Sequence, residues 1–260
     1  MQHSPPLRAA TFVAALIALV TACRTLAPVV PPALAACIPP DTLAMAGVNL
    51  EQLRASALYR MLPPGAAAFL KPLNDASYLL LAYNGKDVLA VARGSFREPP
   101  AGAVLLAKDL AVSGSPQAIR AATAQRKTGR TGAPWLLDRA PAAGQVWVVA
   151  LGGANFPLTG DAANLNRFLS FTDYASIAIR LDSVVHIDAL GAGRTPESAQ
   201  HLEETLRAFF TLASHDRALA GLLHAVQVQR DGLTVRATIA ATPDQIAAQW
   251  GGPPGLPSSK

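Results

Sequence analysis

Apolar residues recur along this chain with two different periods, and the switches between them mark its elements. Residues 226–229 and 233–240, joined through Asp231-Gly232, alternate cleanly. Val226, Val228, Leu233, Val235, Ala237 and Ile239 fall on one side, and Gln227, Gln229, Thr234, Arg236 and Thr238 on the other. A period of two is a strand with one buried and one wet face. The same reading predicts strands at 42–50, 103–113 and 145–151. It predicts further hairpins over 78–95, around Asn84-Gly85, and over 175–190, around Asp182. Asn-Gly implies a two-residue turn with positive φ at both central positions. A period near 3.6 marks helices at 51–62, 161–171 and 195–214; the last carries Ala199, Leu202, Leu206, Phe209, Phe210 and Ala213 on one stripe. Ser115-Pro116 and Thr242-Pro243 open two shorter helices, with a hydroxyl residue as N-cap and proline in the first turn.

These elements come in the same order twice. Residues 41–125 and 145–250 each run strand, helix, hairpin, and each closes on a strand followed by a similarly capped helix. Asp75-Ala76-Ser77 enters the hairpin of the first unit, and Tyr174-Ala175-Ser176 that of the second. Residues 126–144, broken by Gly129, Gly132, Pro134 and Pro141, read as a linker loop. The expected fold is therefore α+β: antiparallel sheet with helices packed on one face, in two similar strand-helix-hairpin lobes. An internal duplication explains the match; the alternative is two unrelated α+β stretches that share cap chemistry.

The start of the chain is different in kind. Arg8 precedes an apolar run at 9–20, and Val20-Thr21-Ala22-Cys23 is a small-residue cleavage site ending on cysteine. That is the layout of a lipoprotein signal peptide, 1–22, with Cys23 as the lipid acceptor. Leu34-Ala35-Ala36-Cys37 also fits the site, but Pro28, Pro31 and Pro32 interrupt the apolar stretch before it. Cys23 is thus the expected acceptor, and Cys37 a small apolar residue. Residues 23–40, rich in proline and alanine and without a period, read as a tether, the folded part starting at Asp41. Residues 251–260 read as a disordered tail.

Ile38-Pro39-Pro40-Asp41-Thr42, Ala44, Gly47-Val48, Leu50, Leu53-Arg54 and Leu58-Tyr59 resemble the opening of an uncharacterised family of bacterial exported lipoproteins. Ser113-Gly114-Ser115-Pro116, with Ile119 and Ala121-Ala122, resembles a second block of the same proteins. The likeness covers about a third of the chain. It implies fold and location, and carries no activity.

Composition narrows the function classes. Of 260 residues, 51% are apolar and only 15% charged, and the formal charge is +5. Loss of residues 1–22 removes Arg8 and no acid, leaving a weak, diffuse basic character that does not point to nucleic acid. The chain holds no Gly-x-Ser-x-Gly elbow, no phosphate loop and no dinucleotide fingerprint. His186 and Asp188 alternate on one strand, but no third ligand sits at a telling spacing, and His201 lies on the polar side of a helix. Arg120, Arg126, Lys127, Arg130 and Arg139 form one basic cluster, read as a solvated loop or a contact for anionic lipid headgroups or a peptidoglycan carboxylate. Trp147 reads as core. No catalytic, cofactor-binding or metal-ligating residue is assigned.

The expectation is a lipid-anchored envelope protein, facing the periplasm or cell surface. It is non-enzymatic, it binds or scaffolds other components, and its partners are the membrane and an envelope protein. The alternative is an envelope hydrolase with a site assembled from distant residues such as His186 and Asp188. Mass spectrometry of the mature N-terminal peptide should find an acylated Cys23, and Cys23→Ser should move the protein out of the membrane fraction. An intact Met1, or acyl groups on Cys37, contradicts this.

Overall fold

The strand predicted at 42–50 forms as β1 (Ala44–Asn49) and is paired on both sides, with β2 (Ala76–Tyr83) and with β6 (Val146–Leu151). The structure, a computed structural model, describes residues 30–154, 156, 164–214, 221–223 and 225–248. The other strands are β3 (Val88–Gly94), β4 (Ala103–Ala107), β5 (Leu110–Gly114), β7 (Thr172–Leu181), β8 (Val185–Gly193), β9 (Gln227–Asp231) and β10 (Thr234–Ala241). They make one sheet in the order β4-β5-β3-β2-β1-β6-β7-β8-β10-β9, every neighbour antiparallel. Read outwards from β1 and β6, both halves have the same plan. A first strand is followed by a hairpin, then by a second hairpin whose later strand joins the sheet and whose earlier strand forms the edge. The two predicted hairpins stand in equivalent places beside β1 and β6. The two similar units are thus the halves of one sheet.

The helices among the described residues are α1 (Pro32–Ala35), α2 (Leu50–Ala55), α3 (Ala57–Arg60), α4 (Pro64–Leu70), α5 (Pro116–Lys127), α6 (Pro134–Leu137), α7 (Asn164–Ser170), α8 (Pro196–Ala213) and α9 (Pro243–Ala247). The Ser/Thr-Pro starts behave as their chemistry requires. The Ser115 hydroxyl accepts from Ala118 N, and Thr195 and Thr242 form capping boxes with Ser198 and Gln245. The helix expected at 51–62 splits, because Ser56 is extended (φ −72°, ψ 154°) and its hydroxyl caps the second piece through Tyr59 N.

Two turns differ from expectation. The Asn84-Gly85 connection is a four-residue loop, with positive φ at Gly85 alone. The Asn84 side chain accepts from Lys86 N and Asp87 N at 3.1 and 2.8 Å, a side-chain turn that replaces the second positive φ. The segment 103–113 is a hairpin, β4 and β5, turning at Lys108-Asp109. No glycine or asparagine marks that turn, so the apolar run reads through it.

The sheet has two faces. The front carries Met45, Leu80, Trp147 and Val149, and in the first half it is buried under α1, α5 and α6. Leu34, Cys37 and Ile38 are wholly buried there, so residues 30–40 are part of the core, against the tether expected for 23–40. Prolines hide this: Pro32 opens a four-residue helix too short to show a period. Residues 126–144 are likewise packed, against the linker expected there, with Ala133 and Leu136 fully buried. Gly132 N donates to Ile38 O at 2.9 Å, and a Cβ on Gly132 would lie 2.4 Å from Pro40 N, so this approach needs glycine.

The back of the first half is covered by α2, with Leu50 and Leu53, and by Phe96. In the second half the back is covered by α7 and α8, while the front stays polar with Arg180, His186, Asp188 and Arg236. Glu203 ties α8 to β9 through Arg207 and Arg230, each 2.9 Å away, and these cations hold its carboxyl below the usual range.

Trp147 locks the central pair. Its register partner on β1 is Gly47, and the indole lies where a Cβ on Gly47 would come within 2.3 Å. Its Nε1 donates to the Tyr78 hydroxyl at 2.8 Å, joining β6 to β2 across β1. Gly47→Ala should destabilise the fold by about 1–3 kcal/mol, because the buried ring has nowhere to move. Each kcal/mol should lower Tm by roughly 2–4 °C. Thermal unfolding of Gly47→Ala, Trp147→Leu and the double variant tests this. The double loss should fall short of the sum; additive losses would show that the contact does not place the indole.

Candidate functional site

The back of the sheet has a gap between its two helical coats. Register fixes its floor. Leu81 pairs with Ala46, Ala46 with Val148 and Val148 with Ile177, one row across four strands. The next row is Tyr83, Ala44, Ala150 and Ala175. Four of these eight positions are alanine, so the floor lies low in the middle. Leu165 and Leu169 of α7 and Phe156 form the wall. The result is an apolar groove of about 360 Å³.

The wall is pinned by specific contacts. Phe156 stacks on Tyr83 with ring centres 5.3 Å apart. The Asn166 amide holds the Phe156 backbone from both sides, accepting from its N–H and donating to its C=O, each at 2.8 Å. Three large apolar residues of the groove face water: Val88 (51% exposed), Leu165 (42%) and Val148 (37%). Among the described lining residues none is charged, and only Tyr83 and Ser176 carry a polar side-chain atom. A concave, preformed apolar surface of this size is what a small apolar ligand needs.

The residues singled out from the sequence lie elsewhere. Cys23 falls outside the described residues, as do His224 and Trp250. His186 and Asp188 share the polar front of β8, but Asp188 faces Arg180 at 3.4 Å and Arg236 at 3.9 Å. Asp188 is therefore engaged by two guanidinium groups. His201 packs edge-on to Phe171 and lies 3.9 Å from Glu204. The basic cluster is partly structural. Arg126 donates to Leu106 O, and Arg139 lies 5.0 Å from the Tyr174 ring centre and donates to Trp135 O. Among the described residues no group of three or more His, Cys, Asp or Glu is placed to hold a metal, and no helix is long and apolar enough to cross a membrane.

The groove was not singled out from the sequence. Its signal is the set of alanines at alternate positions of strands that read only as buried. No single strand shows that Ala44, Ala46, Ala150 and Ala175 meet on one face.

No family model matches the chain, and no curated protein matches it. Solved structures do. Crystal form III of TP0453 has TM-score 0.53 at 11% identity over 85% of this chain and 98% of that one. Crystal form I of TP0453 has TM-score 0.48 at 9% identity over 85% and 96%. At such identity the likeness to crystal form III is one of fold.

Cys37 bears on the competing lipidation site. It is fully buried, its thiol donates to Ala33 O at 3.5 Å, and burial pushes that thiol above its ordinary pKa despite nearby Arg126. The folded state therefore keeps a proton that the unfolded state releases, so the fold loses stability as pH rises past the ordinary thiol range. In Cys23→Ser protein, where Cys37 is the remaining cysteine, iodoacetamide at pH 8 should label native protein far more slowly than protein in 6 M guanidinium. Equal rates would mean that the N-terminal segment leaves the core.

Proposed function

We propose that this chain is a lipid-anchored protein of the bacterial envelope whose role is non-enzymatic binding, with the apolar groove as its ligand site. The observation that carries the reading is the groove: a preformed depression whose described lining residues are uncharged, with three exposed large apolar side chains. Scattered apolar residues on a surface need no account, but several converging on one concavity do. The export pattern at 8–23 and the blocks that resemble exported lipoproteins support the location. The engagement of Asp188 by Arg180 and Arg236 weighs against a hydrolase built on His186 and Asp188. An envelope protein partner is compatible with this reading, since a carrier of apolar ligand needs a donor or an acceptor.

The test pairs binding with complementation. The purified chain should enhance the fluorescence of N-phenyl-1-naphthylamine saturably, and Val148→Asp should lose this at unchanged Tm, because it puts a carboxylate on the apolar floor. In a deletion strain, Val148→Asp should fail to complement. His186→Gln combined with Asp188→Asn should complement like wild type. The opposite pattern overturns the proposal.

A further inference from the structure

We infer that the groove takes a single straight acyl chain of about twelve carbons, lying across the strands from Leu81 to Ile177. This rests on the reading of the groove as a ligand site and goes on to name the ligand.

Volume and length agree. The groove, about 360 Å³ in volume, is of the size that takes one small apolar ligand. The row Leu81, Ala46, Val148, Ile177 crosses four strands, hence three spacings of ~4.8 Å, or ~14 Å. An extended hydrocarbon advances ~1.3 Å per carbon, given C–C bonds of ~1.5 Å. That length is about eleven carbons. On one side of this row Val48 and Leu79 pack against the α2 cluster, and on the other the row Tyr83, Ala44, Ala150 and Ala175 packs with Phe156 and Leu169, so a second chain alongside the first has no free row. A two-chain lipid would need about twice the space.

Chemistry excludes the other occupants. A peptide brings an N–H and a C=O per residue, each costly to bury unpaired. β1, β2, β6 and β7 are paired on both sides, so the floor offers no strand edge to receive them. A stable protein interface buries ~800 Å² per partner, far more than a trough ~14 Å long provides. A hydrocarbon chain asks nothing of the floor but contact.

The experiment uses the purified full chain in detergent-free buffer with 11-(dansylamino)undecanoic acid as probe, displaced by octanoic, dodecanoic and hexadecanoic acids. Each buried methylene multiplies affinity about fourfold, so dodecanoate should bind roughly 200-fold tighter than octanoate. Hexadecanoate should gain less than threefold more. Ala46→Phe, which fills the middle of the row, should weaken dodecanoate at least tenfold, and Val104→Ser, on the outer strand β4, should leave it unchanged. If Ala46→Phe does not fold, Ala175→Leu takes its place. Probe binding that ignores chain length, a continued steep gain at sixteen carbons, or equal displacement by a two-chain phosphatidylcholine overturns the acyl-chain assignment and leaves the groove as a ligand site. Failure of every apolar probe to bind overturns both.

Discussion

The β1–β6 pair carries the mechanical continuity of the molecule, and the Trp147 indole is what fixes it. Hydrogen bonds alone allow a strand to slip, and a slip of one residue turns every side chain to the other face. Here slip is blocked by shape. The indole occupies the space over Gly47, and its N–H reaches the Tyr78 hydroxyl on the far side of β1. Only one register satisfies both conditions. That register sets the rows on the back of the sheet, so the alanines of the groove floor meet because a tryptophan on the front holds them there. Burial pushes the Tyr78 hydroxyl up in pKa, with the indole N–H opposing it, so a neutral phenol bridges the three strands at physiological pH.

Equivalent halves wear different coats. The first half is covered on the front by α1, α5 and α6 and on the back by α2; the second is covered on the back by α7 and α8 and left polar in front. The back coats stop short of each other over the central strands. The groove is the space between them, and it sits on the seam between the two halves. A site on such a seam draws its floor from both repeats, two strands from each.

Strands with clean alternation and helices opened by a capping hydroxyl and proline were legible, and so was the repeat, since cap and hairpin chemistry is local. β10 and α8 fall within a residue or two of where periodicity puts them. What escaped depends on distant partners. Lys108-Asp109 turns without a glycine or asparagine, so its hairpin looks like one strand. Leu34 and Ile38 look like tether until α5 and α6 are seen to cover them. The groove escaped for the same reason: an alanine reads as small and buried in any strand. Its role as floor appears only when β1, β2, β6 and β7 are laid side by side. Conversely, His186 and Asp188 drew attention because local spacing put them on one face, whereas Arg180 and Arg236, which engage Asp188, come from neighbouring strands.

The burial of Leu34, Cys37 and Ile38 shortens the leash. With a lipid on Cys23, the stretch from there to Val30, where the buried segment begins, spans seven peptide units. Seven units cover at most about 25 Å when fully extended, less than the thickness of a bilayer core. A long Pro/Ala spacer would let a lipid-anchored domain roam, but a lipid on Cys23 would moor this one by the front of its first half, within a domain's width of the lipid surface. Diffusion would then become a matter of tilting in place, and whichever flank swung toward the membrane would meet lipid at high local concentration.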